Sequence, residues 1–194
     1  MSRTVSLDEA RTTGAVVTIH RRTLGPDTDR LDGVVLATGV WTLVGSLADW
    51  AHADGYEAIR TEDVTKVRRL RRANQRLVER AAAGLGTWPL PHPDLAVDLA
   101  SVEGVVRSVA GTSRLLAVHV EGESPGEYFP GAVGDLTDEG LGLRFIDTAG
   151  RWEAASRWFG LDEITRVSWG SRYLDMFDRY GDRPPFEPRE LSDR

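Results

Sequence analysis

The chain has 194 residues, of which 41% are hydrophobic and 28% are charged, and it contains no cysteine. These fractions are typical of a soluble globular protein and exclude collagen-like, coiled-coil and wholly disordered chains. The lack of thiols excludes a disulfide scaffold, a thiolate zinc site and cysteine catalysis. A formal net charge of −6 argues against a protein that coats itself with nucleic acid.

No targeting or membrane segment is expected. Asp8 and Glu9 stand where a secretory signal would need an apolar stretch. The longest uncharged stretch, residues 33–48, contains three glycines and is shorter than the roughly 20 apolar residues of a membrane helix. We therefore expect a cytoplasmic protein without membrane contact.

Short apolar runs, separated by turn residues, predict five strands in the first half of the chain. The runs cover residues 15–21, 33–37, 40–47, 56–60 and 64–67. Thr38-Gly39 marks a tight turn between the second and third runs. Five strands in about 55 residues are typical of a small closed barrel, which leaves no free sheet edge.

A basic helix is predicted after these strands, over residues 68–83. Its apolar positions recur at helical spacing, and Gly84 and Gly86 are suitable residues to end it. The expected apolar stripe consists of Leu70, Ala73, Leu77 and Ala81.

The second half of the chain predicts the same kind of unit. A proline-rich linker over residues 88–97 leads to a helix at 99–109. Five strands are then expected at residues 115–120, 131–136, 141–146, 151–159 and 164–168. A last helix carries Tyr173, Leu174, Phe177 and Tyr180, with Ser171 as its N-cap, and residues 184–194 are expected to form a flexible tail.

The two halves share short stretches of sequence in the same order, which indicates an internal repeat. Residues 63–67 (Asp-Val-Thr-Lys-Val) and 163–167 (Glu-Ile-Thr-Arg-Val) match conservatively at every position. Residues 16–20 are echoed by 115–119, and residues 33–35 by 131–133. We therefore predict a mainly β protein with flanking helices, divided into a first unit at 1–87 and a second at 98–183.

The strand order, with a glycine entering the second strand and an acidic turn before the last, resembles the Sm-like small β-barrel, an SH3-like fold. The chain is also similar to tandem small-barrel proteins of actinobacteria, which end in a stretch like Trp169-Gly170-Ser171-Arg172-Tyr173. The resemblance covers about residues 15 to 180 and implies two five-stranded barrels, each with an attached helix. The RNA-contacting Asp-x-aromatic-x-Asn loop of Sm proteins has no counterpart, because residues 147–150 read Asp-Thr-Ala-Gly.

The most basic segment is a candidate binding surface. Arg68, Arg69, Arg72 and Arg76 are its main candidates, and phosphate groups or an acidic partner would be its ligands. The alternative is an ordinary solvated helix face. Residues 1–97 carry 13 basic and 12 acidic side chains, against 11 and 18 in residues 98–194. This asymmetry favours pairing between the basic segment and the acidic second half, in the same chain or in a partner, over nucleic acid.

Other candidates are weaker. His20 and His119 occupy equivalent positions near strand ends, and a structural role is the more common explanation for both. The acidic loop residues lack the spacing of a calcium loop, and neither a phosphate-binding loop nor a nucleophile elbow occurs. We predict no metal, cofactor or catalytic residue. Among six tryptophans, Trp88 and Trp158 are the expected interface residues.

These observations favour a non-enzymatic binding or assembly module that associates with itself or with another protein. The alternative is a protein associated with RNA or another nucleic acid through the arginine-rich residues 68–80.

Overall fold

A computed structural model describes residues 3–21, 30–49, 51–88, 90, 93, 96–124 and 126–184. Within these residues the protein is mainly β, with flanking helices. The strands are β1 (Arg3–Val5), β2 (Val16–His20), β3 (Arg30–Ala37), β4 (Trp41–Ala48), β5 (His52–Arg60), β6 (Lys66–Arg69), β7 (Leu116–His119), β8 (Phe129–Leu136), β9 (Gly140–Ile146), β10 (Trp152–Gly160) and β11 (Arg166–Trp169). The helices are α1 (Leu7–Thr13), α2 (Arg72–Gly84), α3 (Val102–Ala110) and α4 (Arg172–Tyr180).

All eleven strands belong to one antiparallel sheet in the order β1-β6-β2-β3-β4-β5-β11-β7-β8-β9-β10. The sheet is open, so two separate closed barrels are not seen. The reason is that β5 of the first half pairs with β11 of the second, with Glu57 opposite Ser168 and Ile59 opposite Arg166. This β5–β11 pairing, called the seam below, continues the sheet from one half into the other.

Apart from β1, which precedes the first half, the two halves share one order of helices and strands: a helix, five strands and a second helix. Their pairing registers also correspond. Ile19 lies opposite Val67 in the β2–β6 pair, and Val118 lies opposite Val167 in the β7–β11 pair. At the end of each pair a threonine binds the carbonyl oxygen of a histidine through its backbone amide: Thr65 to His20 at 2.9 Å, and Thr165 to His119 at 3.0 Å.

Apolar side chains cover both faces of the sheet. In the first half, α1 packs on a core that includes Ile19, Val44 and Ile59, while α2 covers the other face. In the second half, α3 packs on the largest cluster, and α4 covers the opposite face. Trp41 and Leu43 of the first half belong to that largest cluster, so the two halves share part of one core.

β1 and α1 were not predicted from the sequence. β1 pairs along the outer side of β6, with Val5 opposite Val67. α1 starts at Ser6, whose side chain accepts a hydrogen bond from the backbone of Glu9, and ends at Gly14, which has a φ of 56°. A left-handed residue at a helix end favours glycine. The result is that β6 is paired on both sides and the short strand β1 forms this edge of the sheet.

The prediction for the basic helix was partly wrong. Arg68 and Arg69 lie on β6 rather than on a helix, because β6 is paired on both sides, by β1 and β2. The helix starts at Arg72, and its buried residues are Gln75, Val78 and Ala82. Leu77 of the predicted apolar stripe is 60% exposed.

The predicted linker and tail fall mostly outside the described residues. Within residues 88–97, Leu90 is buried in the cluster under α2, and Val97 packs against the largest cluster. Of the predicted tail at 184–194, only Pro184 is described.

Candidate functional site

β10 forms an open edge of the sheet. Among the described strands it pairs with β9 alone, and residues 153–158 are all exposed. Unpaired backbone donors and acceptors on such an edge can template the addition of another strand. The edge strand at the other end of the sheet is β1, which has three residues against the nine of β10.

Trp158, a predicted interface residue, lies on this edge strand and is 52% exposed. Its ring rests against Gly140 and Gly142 of β9. A Cβ atom added at Gly140 would lie 2.5 Å from the indole Nε1, and one added at Gly142 would lie 3.3 Å from Cε3. Because neither glycine has a side chain, the indole can lie directly against the backbone of β9. Trp88, the second predicted interface residue, is half-buried against the cluster under α2.

A β-bulge divides the edge strand. The pairing register between β10 and β9 shifts between Trp152 and Ser156. Arg144 of β9 crosses the bulge, and its Nη1 donates to the carbonyl oxygens of Glu153 at 3.2 Å and Ala154 at 2.5 Å. Bulges are common at sheet edges, where they bend the strand and re-aim its side chains.

Arg157 is an exposed, positively charged residue on the edge strand β10. Its guanidinium carbon lies 4.3 Å from the ring centroid of Phe129 and 5.5 Å from that of Phe159. Arg157 lies on the face of the strand opposite to Trp158, because neighbouring residues of a strand point to opposite faces. The sequence prediction did not include Arg157. The sequence did offer one signal for it: Arg157 occupies the position that corresponds to Glu57 in the first half, and the two side chains have opposite charges.

The arginine surface, defined here as Arg68, Arg71, Arg72, Arg76 and Arg80, is exposed. Within the described part of the chain, none of the five forms an ion pair with a carboxylate. Their expected pairing with the acidic second half is therefore not seen within the described chain. Arg69, also a predicted site residue, is half-buried, and its Nε donates to Oε1 of Gln75 at 3.2 Å.

A buried charge network lies at the seam. Arg21 donates to both carboxylate oxygens of Glu121, at 2.6 and 2.9 Å, and both side chains are fully buried. Arg166 lies 2.8 Å from Glu121 and 3.3 Å from Glu57. Thr165 donates to Glu121 at 2.9 Å. Buried charges need such partners, because an isolated ion is strongly destabilised away from water.

His119 completes the network in a fixed tautomer. Its Nδ1 lies 2.9 Å from Nη2 of Arg166, and its Nε2 lies 3.0 Å from Oγ of Ser168. Because a guanidinium group only donates, Nδ1 accepts, and the ring proton is on Nε2. Burial lowers the pKa of His119 well below its usual value, and the positive charges of Arg166 and Arg21 lower it further.

This orientation bears on catalysis at Ser168. A general base must present a bare nitrogen to the hydroxyl that it deprotonates. His119 instead presents its N–H to Ser168, whose hydroxyl donates to Glu57 at 3.2 Å. The arrangement thus links β7, β11 and β5 rather than activating a nucleophile.

A cleft of about 510 Å³ opens beside this network. Tyr128 lies within it, and burial raises the pKa of its phenol. The ring of Tyr128 contacts His119 and Tyr173 edge-on, with centroid distances of 5.1 and 5.6 Å. The remaining lining residues are Ser46, Asp54, Glu57, Arg166, Ser168 and Ser171. The sequence prediction included His119 but none of its neighbours here.

No group of three or more metal-ligating side chains occurs among the residues that the structure describes. His20 and His119 have different surroundings, since His20 is half-buried on β2 and His119 is buried at the seam. Within the same residues, no helix combines the length and apolar character that crossing a membrane requires.

Comparisons with protein-family models, with curated protein sequences and with solved structures found no match. The resemblance to Sm-like barrels therefore remains a prediction from the sequence.

Proposed function

We propose that the protein is a non-enzymatic assembly module, built from two Sm-like units, that associates with another copy of itself through the open edge of β10. The observation that carries the proposal is the difference between two corresponding strands. β5 and β10 have nine residues each and start at His52 and Trp152. Among the strands that the structure describes, β5 is paired on both sides, whereas β10 is paired on one side only.

Composition at the edge supports the same proposal. Trp158 exposes half of its surface beside unpaired backbone, and aromatic side chains are enriched where proteins associate. Strand addition satisfies backbone groups along the edge, while side chains such as this indole supply apolar contact.

Light scattering during gel filtration, at protein concentrations from about 1 to 200 µM, tests the proposal. We expect a mass above that of a monomer at the upper concentrations and a decrease after Trp158→Ala. Leu77→Ala is the matched control, because Leu77 is also exposed but lies on α2. A monomer at every concentration would rule out self-association.

A second candidate function is binding of RNA or another nucleic acid by the arginine surface. It is supported by the exposure of these side chains and by their lack of ion pairs within the described chain. Contacts between arginine and phosphate depend strongly on salt, because they release counterions.

Fluorescence anisotropy with a labelled single-stranded oligonucleotide, at about 50 mM salt, tests this second function. We expect weaker binding after the double substitution Arg72→Ala and Arg76→Ala. Arg151→Ala with Arg179→Ala is the matched control, because both of these exposed arginines already pair with carboxylates. Absence of binding by the unmodified protein at low salt excludes the function.

A further inference from the structure

The cleft beside the buried charge network is lined by polar side chains from both halves of the chain. The described lining residues lie on β4 and β5 of the first half, and on β7, β11 and α4 or next to these elements in the second. Its volume of about 510 Å³ is within the range of about 300–1,000 Å³ that small-molecule sites occupy. An apolar molecule would displace water from these polar groups without replacing its hydrogen bonds, so the lining favours a polar ligand.

A β-bulge brings two carboxylates to this cleft. The pairing of β4 with β5 shifts register at Ser46, which stands opposite two residues, Asp54 and Gly55. Gly55 has a φ of 75°, a left-handed conformation that one common type of bulge uses. Asp54 and Glu57 are three residues apart and would point to opposite faces of a regular strand, yet both line the cleft. The bulge is therefore what sets the two carboxylates side by side.

Each carboxylate is held through one oxygen and leaves the other available. Oδ1 of Asp54 accepts from the backbone amide of Arg172 at 2.9 Å and from its Nε at 3.3 Å. Oε2 of Glu57 accepts from Ser168 at 3.2 Å and lies 3.3 Å from Nη1 of Arg166. Within the described chain, Oδ2 of Asp54 and Oε1 of Glu57 accept no hydrogen bond, and neither oxygen is buried away from solvent. Both acceptors are thus fixed in place before a ligand arrives, which lowers the cost of binding.

The charges around the cleft are already paired. Arg166 is the only cation among the described lining residues, and besides Glu57 it contacts Glu121 at 2.8 Å and His119 at 2.9 Å. An anionic ligand would therefore find no free cation and would face two carboxylates. A cationic ligand at Glu57 would lie close to the guanidinium group of Arg166 and be repelled by it. The open oxygens suit a neutral ligand that donates hydrogen bonds, and such bonds to a carboxylate are strong.

The aromatic rings of the cleft do not form a slot for a flat molecule. Tyr128 and Tyr173 meet edge-on, with their planes at 68°, and the planes of Tyr128 and His119 are at 72°. No two of these rings are parallel, as stacking of a planar heterocycle between them would require. The hydroxyl groups of Ser46 and Tyr128 can both donate and accept hydrogen bonds. They are therefore complementary to a ligand that carries several hydroxyl groups of its own.

We propose that this cleft binds a small, neutral, polyhydroxylated molecule of the sugar or polyol class, whose hydroxyl groups donate to Oε1 of Glu57 and Oδ2 of Asp54. The repeat does not impose these side chains, because β10 carries Ala154 and Arg157 at the positions where β5 carries Asp54 and Glu57. The site depends on the seam, where β5 of one half meets β11 of the other. It does not depend on self-association, since none of the described lining residues belongs to β10.

Two-dimensional amide NMR of the full chain tests the site with probes of defined chemistry. The neutral probes are glucose, mannose, N-acetylglucosamine, maltose and myo-inositol. Spermidine, inorganic phosphate and adenine represent cationic, anionic and planar ligands. We expect at least one neutral probe to shift the amide signals of the cleft residues, with a dissociation constant on the order of 1 mM, because ligands of this size have few atoms with which to make contacts.

Three variants connect the binding to the carboxylates. Asp54→Asn replaces a charged acceptor with a weaker one, and we expect the dissociation constant of the neutral probe to rise about tenfold. Ser46→Phe fills the cleft and should abolish the shifts. Asp138→Asn is the matched control, because Asp138 lies in an exposed turn outside the cleft, and it should leave the affinity unchanged. Circular dichroism verifies that each variant is folded.

The outcomes separate the site from the class of its ligand. Binding of a neutral probe at the cleft, weakened by Asp54→Asn but not by Asp138→Asn, supports the inference. Tighter binding of spermidine, phosphate or adenine than of every neutral probe overturns the ligand class. Shifts confined to other surfaces, equal effects of the two substitutions, or no shift with any probe at up to about 20 mM overturn the site. None of these results alters the light-scattering test of self-association.

Discussion

Arg21 and Glu121 form a two-pronged ion pair between the two halves of the chain although neither side chain is exposed to solvent. Arg21 follows β2 of the first half, and Glu121 follows β7 of the second. The pair is part of a network with Arg166 and Glu57 that spans the seam. Arg21 and Glu121 are fully buried, and Arg166 and Glu57 are mostly buried, so a displacement of one half on the other would separate ions that water cannot fully solvate.

Removal of one partner should be costly. Arg21→Met leaves the carboxylate of Glu121 with fewer cations in a dry site, and we expect a loss of about 3–5 kcal/mol in the free energy of unfolding. The measurement is urea unfolding followed by circular dichroism. Arg179→Met is the control, because Arg179 pairs with Asp175 on the surface of α4 and should lose less than about 1 kcal/mol. Equal effects of the two substitutions would show that the buried pair does not hold the halves together.

The stability of the fold should fall as the solution is acidified below about pH 6.5. The pKa of His119 is lowered by its burial and by Arg166 and Arg21. The unfolded chain therefore binds a proton at His119 at a higher pH than the folded chain does. The stabilising contribution is complete above the unfolded pKa and is lost as the pH falls from there towards the folded pKa.

Unfolding free energies measured from pH 8 to pH 5 test this dependence. His119→Gln should flatten it, because glutamine does not titrate. His20→Gln, the equivalent change in the first half, should leave the contribution of His119 in place. If the slope survives His119→Gln, another group must cause it.

Any side chain at Gly140 should reduce the stability of the fold. A Cβ atom there would lie 2.5 Å from the carbonyl oxygen of Phe159 and from Nε1 of Trp158. We expect Gly140→Ala to cost about 1–3 kcal/mol, because β10 must move away from β9. Gly84→Ala in α2 should stabilise the protein by up to about 1 kcal/mol, since no atom lies near its added Cβ. Thermal unfolding of both variants gives the comparison, and a neutral Gly140→Ala would contradict the close packing.

The covered edge of β6 should open when residues 1–5 are removed. The deletion takes away the strand that pairs with β6 and the buried side chain of Val5. We expect faster hydrogen exchange at the backbone amides of β6 that face β1, whereas amides of β9, which is paired on both sides, should keep their protection. Unchanged exchange in β6 would indicate that β1 does not protect this edge.

Much of the architecture follows from local pattern. Ten of the eleven described strands overlap predicted apolar runs, although bounds differ by up to four residues, because turn residues and short apolar stretches are local signals. Ser171 was also predicted correctly as the N-cap of α4, where it accepts from the backbone of Leu174. β1 escaped prediction, since a three-residue strand with one buried side chain has no detectable period.

The remaining differences come from tertiary pairing. A pattern of strands does not specify where a sheet closes, and here β5 pairs across the seam with β11. The buried face of α2 was assigned to the wrong residues, because Gln75 rather than Leu77 faces the sheet. The charges at the seam, such as Glu57 and Arg166, have no local signal, since only the contact between the halves brings them together.

The seam also has a consequence for synthesis on the ribosome. Glu57 and its partner Ser168 are 111 residues apart in the chain. At translation speeds of about 5–20 residues per second, β5 would wait for roughly 5 to 20 s before β11 emerges. During that interval, β5 of the nascent first half has no strand on the side that β11 occupies in the finished sheet. Completion of the second half is therefore what finishes the folding of the first.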